Sequence, residues 1–198
     1  MRKLLGKSPK DRYFEELQTG GLNVNTKLTQ YFYNTYIRPN YSQPARVNEL
    51  KMGQIYTYLY DPKHKDVLAY YDTNPMTLIY GSWYAKDGTY LYNGINLHFL
   101  PANMKLAILD VYWKYFYRFG GSKIMSVLPF TYTKMFLTVF QRMNGINYKF
   151  ALRTYIVNRI ANPIAVPETD WGKIPFAKPT FIKGKTLDDI YNEYYSKK

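Results

Sequence analysis

The hydrophobic period of this chain changes twice, and the changes mark off stretches that cannot share one architecture. Before Pro39 the apolar residues Tyr31, Phe32, Tyr36 and Ile37 recur at helical spacing, with Thr26 as a cap and Pro39 as the stop. From Gly53 the period falls to two. Gln54–Tyr60 is rich in β-formers and ends at the Asp61-Pro62 turn. Pro75 precedes a second strand, Met76–Tyr80. Trp83-Tyr84, the Asp87-Gly88 turn and Thr89–Tyr92 spell a hairpin, and Asn93-Gly94 reads as a further turn into Ile95–Phe99. After Pro101 the helical period returns. Leu106, Leu109, Asp110, Trp113, Phe116 and Tyr117 predict one helix, closed by Gly120-Gly121. Met135, Phe136, Val139, Phe140 and Met143 predict a second from about Thr131, broken at Asn144-Gly145. Leu152, Tyr155, Ile156 and Ile160 predict a third from about Asn147 to Asn162-Pro163.

The fold class that follows is α+β. A small antiparallel sheet or barrel over about residues 53–100 packs with a cluster of about three helices over 103–162, flanked by extended arms. A length of 198 residues suits one domain with substantial arms. Residues 1–25, ending in Thr19-Gly20-Gly21, read as an arm that is mobile or bound to a partner. Residues 26–162 form the single α+β domain, and 163–198 a proline-rich strap and a C-terminal helix. Pro163, Pro167, Pro175 and Pro179 argue against regular structure there, while Trp171, Phe176 and Phe181 offer anchors. Thr186 with Asp188 and Asp189 starts the last helix, whose apolar face carries Ile190, Tyr191, Tyr194 and Tyr195. No internal repeat is visible.

Composition excludes several classes of function. Hydrophobic residues at 46% rule out global disorder, and the lack of cysteine rules out disulfide scaffolds, zinc–thiolate sites and thiol catalysis. No stretch reaches the roughly 18 apolar residues needed to cross a bilayer, and the basic start Met1–Lys7 lacks a signal peptide's apolar run. The expectation is a soluble protein with no membrane partner. His64 and His98 are the only plausible neutral bases, and neither sits in a triad, elbow or metal-binding spacing. His98, between Leu97 and Phe99, reads as structural. Asp61, Asp66 and Asp72 could gather around magnesium, but acids in a turn-rich stretch are more simply solvated caps. Gly120-Gly121-Ser122-Lys123 lacks P-loop spacing. Neither an enzyme nor a cofactor is expected.

Charge points instead to binding. The net charge of +13 is uneven: residues 51–100 are neutral, whereas 101–163 carry nine basic side chains against the single acid Asp110. Those nine are the candidate nucleic-acid-binding residues: Lys105, Lys114, Arg118, Lys123, Lys134, Arg142, Lys149, Arg153 and Arg159. On helices, Lys114 with Arg118 and Lys149 with Arg153 share faces, as phosphate contact without base readout requires. The bland alternative is a solvated basic face, which the near absence of acids disfavours. The 23 tyrosines could stack on unpaired bases, but packing and subunit assembly account for them more simply.

One stretch carries a distinctive pattern. Tyr60-Asp61-Pro62-Lys63-His64-Lys65-Asp66 is followed by Leu68-Ala69-Tyr70-Tyr71-Asp72-Thr73-Asn74-Pro75 and then by Gly94-Ile95-Asn96-Leu97-His98-Phe99-Leu100-Pro101. This resembles a segment of virion proteins from T-even-type and marine tailed phages, some of which are DNA end protectors. Ala69 stands where that pattern has proline, and Ile95 where it has leucine. The resemblance covers about a quarter of the chain, with no catalytic role attached to it. It implies a virion protein, assembled in the host cytoplasm, that contacts double-stranded genome DNA ends beside portal, neck or tail proteins. The neutral sheet would then be scaffold and the basic helices the DNA face. The alternative is a purely structural neck, tail or baseplate component that assembles through its arms and tyrosine-rich surfaces.

Overall fold

The period-two stretch supplies most of a five-stranded antiparallel sheet in the computed structural model, which describes residues 6–21, 23–42, 49–118, 149–179 and 182–195. Its strands are β1 (Ile55–Tyr60), β3 (Met76–Tyr84), β4 (Tyr90–Asn96), β5 (Leu152–Ile156) and β6 (Ile160–Val166), in the order β5-β4-β3-β1-β6. A separate two-stranded sheet joins β2 (Tyr70–Asp72) to β7 (Ile182–Gly184).

The strand order forces the sheet to curl. β5 and β6 are opposite edges, yet only the 3-10 turn Val157–Arg159 links them. Four Cα steps span at most about 15 Å, whereas the edges of a flat five-stranded sheet lie about 19 Å apart. Ring contacts report the same curvature: Tyr58 on β1 and Tyr155 on β5 have centroids 5.4 Å apart across two intervening strands. The sheet is nonetheless open, because β5 and β6 share no ladder. Tyrosines fill its inner face. Tyr56, Tyr58, Tyr92 and Tyr155 pack with Leu50 and Ile79, and the Tyr58 and Tyr155 hydroxyls both meet Thr77 Oγ1.

The outer face carries the larger apolar core. Ile55, Met76, Leu78 and Ile95 turn toward α4 (Ala102–Arg118), whose stripe of Met104, Ile108, Leu109, Tyr112 and Trp113 is buried. A 3-10 segment, Glu168–Phe176, lies across this helix and inserts Trp171, with centroids 5.3 Å from Tyr112 and 6.2 Å from Trp113. α1 (Pro9–Thr19) starts in a capping box between Ser8 and Asp11. It docks on the same segment, where Arg12 donates to the Glu168 carbonyl and Tyr13 stacks on Phe176. α2 (Val24–Phe32), a π turn (Tyr33–Ile37) and α3 (Arg38–Ser42) follow. α5 (Leu187–Tyr195), capped reciprocally by Thr186 and Asp189, buries Ile190.

The α+β class holds, and four local expectations change. The third helix, expected from Asn147, is instead β5 and β6: Leu152 and Tyr155 serve opposite faces of the sheet, which only a strand permits. Asn93-Gly94 is not a turn but lies inside β4, where a Cβ on Gly94 would come 2.2 Å from Thr77 Cγ2. Close strand approach, not backbone flexibility, requires that glycine. Pro39 does not end its helix, because the π turn before it widens the ladder where the ring would strike a carbonyl. The strap does contain regular structure. Pro163 is tolerated in edge strand β6 because the register shifts there and Asn162 adopts φ 50°. Trp171 and Phe176 are buried anchors as expected. The helix expected from Thr131, the stop at Gly120-Gly121 and the anchor Phe181 lie outside the described residues.

Candidate nucleic-acid interface

The sheet brings together the halves of the sequence pattern, which lie about 20 residues apart in the chain. Asp72 ends β2, Asn96 ends β4 and His98 follows in a 3-10 turn. The Asp72 carboxylate accepts from the Asn74 backbone N–H at 2.9 Å, Asn96 Nδ2 at 3.1 Å and His98 Nδ1 at 2.9 Å. Asn96 Oδ1 in turn accepts the His98 backbone N–H, and Asn74 Nδ2 donates to the Tyr58 carbonyl. All four side chains are buried. Asp72, Asn74, Asn96 and His98 thus form one buried network, in which Asn74 Oδ1 and His98 Nε2 have no hydrogen-bond partner among the described residues.

A cavity of about 340 Å³ opens beside that network. Leu68, Ala69 and Tyr71 line it from the loop and β2, Arg153 and Tyr155 from β5, and Tyr194 from α5, with Asp72 and Asn96 as its floor. Gly184 makes this corner possible: it has φ +88°, and a Cβ there would lie 2.3 Å from the Ala69 carbonyl oxygen. The Arg153 guanidinium sits over the rings of Tyr70 at 4.9 Å and Phe99 at 5.0 Å. Burial raises the Tyr70 phenol above its ordinary range, although Arg153 pulls it back. Exposed basic residues stand near the lining residue Tyr71: Lys65 on the loop, and Lys183 opposite it in the small sheet.

The nine candidate cations fall into distinct environments. Lys105 is a correction to the surface reading. It is 3% exposed, donates from Nζ to the Ala177 carbonyl at 2.6 Å, and burial depresses its ammonium to about 7. Its charge is directed into the fold, not at a partner. Lys114 is exposed and pairs with Asp110 at 2.6 Å. Lys149 is exposed in a 3-10 turn, and Arg159 reaches Asp61 at 3.1 Å. Lys149 and Arg153 do not share a helical face, because Arg153 is on a strand. Lys123, Lys134 and Arg142, and the side chain of Arg118, lie outside the described residues. Of the aspartates considered for magnesium, Asp61 pairs with Lys65 and Arg159, and Asp72 belongs to the buried network. Among the described residues no acidic or histidine cluster could hold a metal, and no helix is long and apolar enough to cross a membrane.

The sequence reading missed that the motif and the basic segment meet. Arg153 stacks on Tyr70 and Phe99 of the motif, so scaffold and charge are not separate halves in space. The missed signal is the β-branched content of Thr154, Ile156, Val157, Ile160, Ile164 and Val166.

A family model described as phage T4 terminal DNA protecting protein matches residues 8–186. No curated protein and no solved structure matches the chain.

Proposed function

The chain belongs to the family of the phage T4 terminal DNA protecting protein, and from that membership we propose that it binds and covers phage DNA ends non-catalytically. The match over residues 8–186 carries this reading. The excess charge of residues 101–163 supports it, because a duplex end offers phosphates and requires no base readout. The phosphate-binding residues in this reading are Lys114, Arg118, Lys123, Lys134, Arg142, Lys149, Arg153 and Arg159, with Lys105 withheld inside the fold. Protection is steric: a covered terminus gives an exonuclease nothing to grip. The site of action is the virion, beside portal, neck or tail proteins.

Salt-titrated binding to linear blunt-ended and closed-circular duplex tests this. End recognition gives tighter binding to the linear form and a steep loss of affinity as salt rises. Equal affinity for both forms overturns it. A second reading, a structural neck, tail or baseplate subunit, is favoured by one observation: Trp83 and Tyr84 are 47% and 71% exposed at the β3–β4 hairpin. That reading gains if neither DNA form binds and Tyr84→Ser abolishes particle assembly.

A further inference from the structure

Several cations of the fold are paired with a carboxylate, and Arg153 is not among them. Lys65 and Arg159 meet Asp61, Lys173 meets Asp170, and Lys185 meets Glu193. Among the described residues, no carboxylate lies within ion-pairing distance of Arg153, which donates from Nη1 to the Leu152 carbonyl and hydrogen-bonds the Tyr70 side chain. Two aromatic rings hold this half-buried guanidinium in place at the wall of a cavity. A guanidinium has five N–H donors in a planar fork that matches phosphate oxygens, so a fixed and uncompensated one at a cavity wall is an anion-binding element.

The rest of the lining narrows the ligand. Tyr60, Tyr71 and Tyr194 contribute half-exposed rings, on which any base can stack, while the Tyr155 ring is buried. The cavity's 340 Å³ falls in the range of small-ligand sites. Its floor is closed: Asp72 and Asn96 are 4% and 1% exposed and engaged with His98 and Asn74. A terminal nucleotide enters such a cavity at a smaller unstacking cost than an internal one, which must be flipped out between two neighbours. A terminal phosphate monoester also carries nearly two negative charges at neutral pH, against one for an internal diester. We propose that this cavity receives the terminal nucleotide of a DNA end, with Arg153 binding the terminal phosphate and the tyrosine rings stacking on its base. This inference rests on the end-binding reading and names the part of the end that is recognised. The Asp72 carboxylate keeps the phosphate at the Arg153 wall and away from the floor.

The test is fluorescence anisotropy with the full chain and blunt duplexes of one sequence. Their termini carry a 5′-phosphate, a 3′-phosphate or hydroxyls only, and a closed circle serves as competitor. Wild-type protein is expected to bind one phosphorylated terminus about tenfold more tightly than the hydroxyl end, the worth of a charge-assisted contact. Arg153→Gln abolishes that ratio, and Arg153→Lys retains part of it. Ala69→Trp, which plugs the exposed mouth and leaves Arg153 in place, abolishes it too, and decides the matter should the Arg153 variants fail to fold. Equal binding of phosphorylated and hydroxyl ends by wild-type protein overturns the inference, as does a ratio that survives Ala69→Trp. If linear DNA still outcompetes the circle in those cases, only the cavity assignment fails. If it does not, the end-protecting reading fails with it.

Discussion

The motif and β5 build two adjacent regions that treat charge in opposite ways. In the buried network, the Asp72 carboxylate receives three hydrogen bonds and its side chain is almost fully buried. In the neighbouring cavity, the Arg153 guanidinium rests on two rings with no acid beside it among the described residues. A satisfied buried charge holds strands in register. One at a cavity wall without an acidic partner is available to an anionic ligand. The comparison therefore separates the residues that make the fold, Asp72, Asn96 and His98 of the motif, from the residue that equips it, Arg153 of β5.

The strongest way to break this comparison is to attack the buried side. Asp72→Ala leaves His98 and Asn96 buried without their shared acceptor, and is expected to cost about 3–5 kcal/mol. In a chain of this size that lowers Tm by roughly 10 °C in a thermal melt. A variant that melts like wild type would show that the network does not hold the fold.

Lys105 is a buried charge without the network's compensation, and it gives the next largest effect. Its ammonium falls from about 10.5 when unfolded to about 7 when folded. Between those values the unfolded chain binds the extra proton, so stability rises with pH by up to about 1.4 kcal/mol per unit. Above pH 10 the buried tyrosines act in the opposite sense. Burial pushes the Tyr92 phenol up to about 12, so the folded state keeps a proton that the unfolded state releases. Denaturant melts across pH 6–12 are expected to peak near pH 10, and Lys105→Met is expected to flatten the rise below it. A wild-type curve flat from pH 7 to 10 would contradict the assignment.

Gly94→Ala tests the register between the two regions. The added Cβ meets Thr77 Cγ2 at 2.2 Å, and overpacking of this kind costs about 1–3 kcal/mol by chemical denaturation. The smallest stability effect belongs to the open side. Arg153→Gln gives up a cation–π contact worth about 1 kcal/mol while removing the discrimination between DNA ends. A small melt shift with a large binding change is the signature that sharpens the contrast.

Much of the architecture was legible because its elements are local. β1 and α4 each carry a clean period and a proline or glycine boundary. The Thr186–Asp189 cap is visible as residue types at fixed spacing. The site was legible only as two lists of residues, and their meeting was not. β5 hid because Leu152, Tyr155 and Ile156 fit a helical stripe as well as a strand, and tertiary pairing with β4 decided between them. Lys105 hid because its type suggests surface, although it stands three and four residues before Ile108 and Leu109, on α4's apolar stripe. Asp170 shows the same limit. Burial pushes its carboxyl up, but hydrogen bonds from Tyr31, Tyr36 and Lys173 outweigh that and hold it below the usual range. None of those partners is its sequence neighbour except Lys173.

The central claim is that this chain shields DNA termini by occupying them. Its most direct test is the survival of a linear duplex with phosphorylated ends exposed to a double-strand exonuclease, with wild-type protein or the Arg153→Gln variant present just above the wild-type dissociation constant. The account expects wild-type protein to leave the duplex full-length while the variant allows digestion, with an endonuclease cutting internal sites at the same rate in both samples. Digestion of the linear duplex at the protein-free rate by wild-type samples would contradict it.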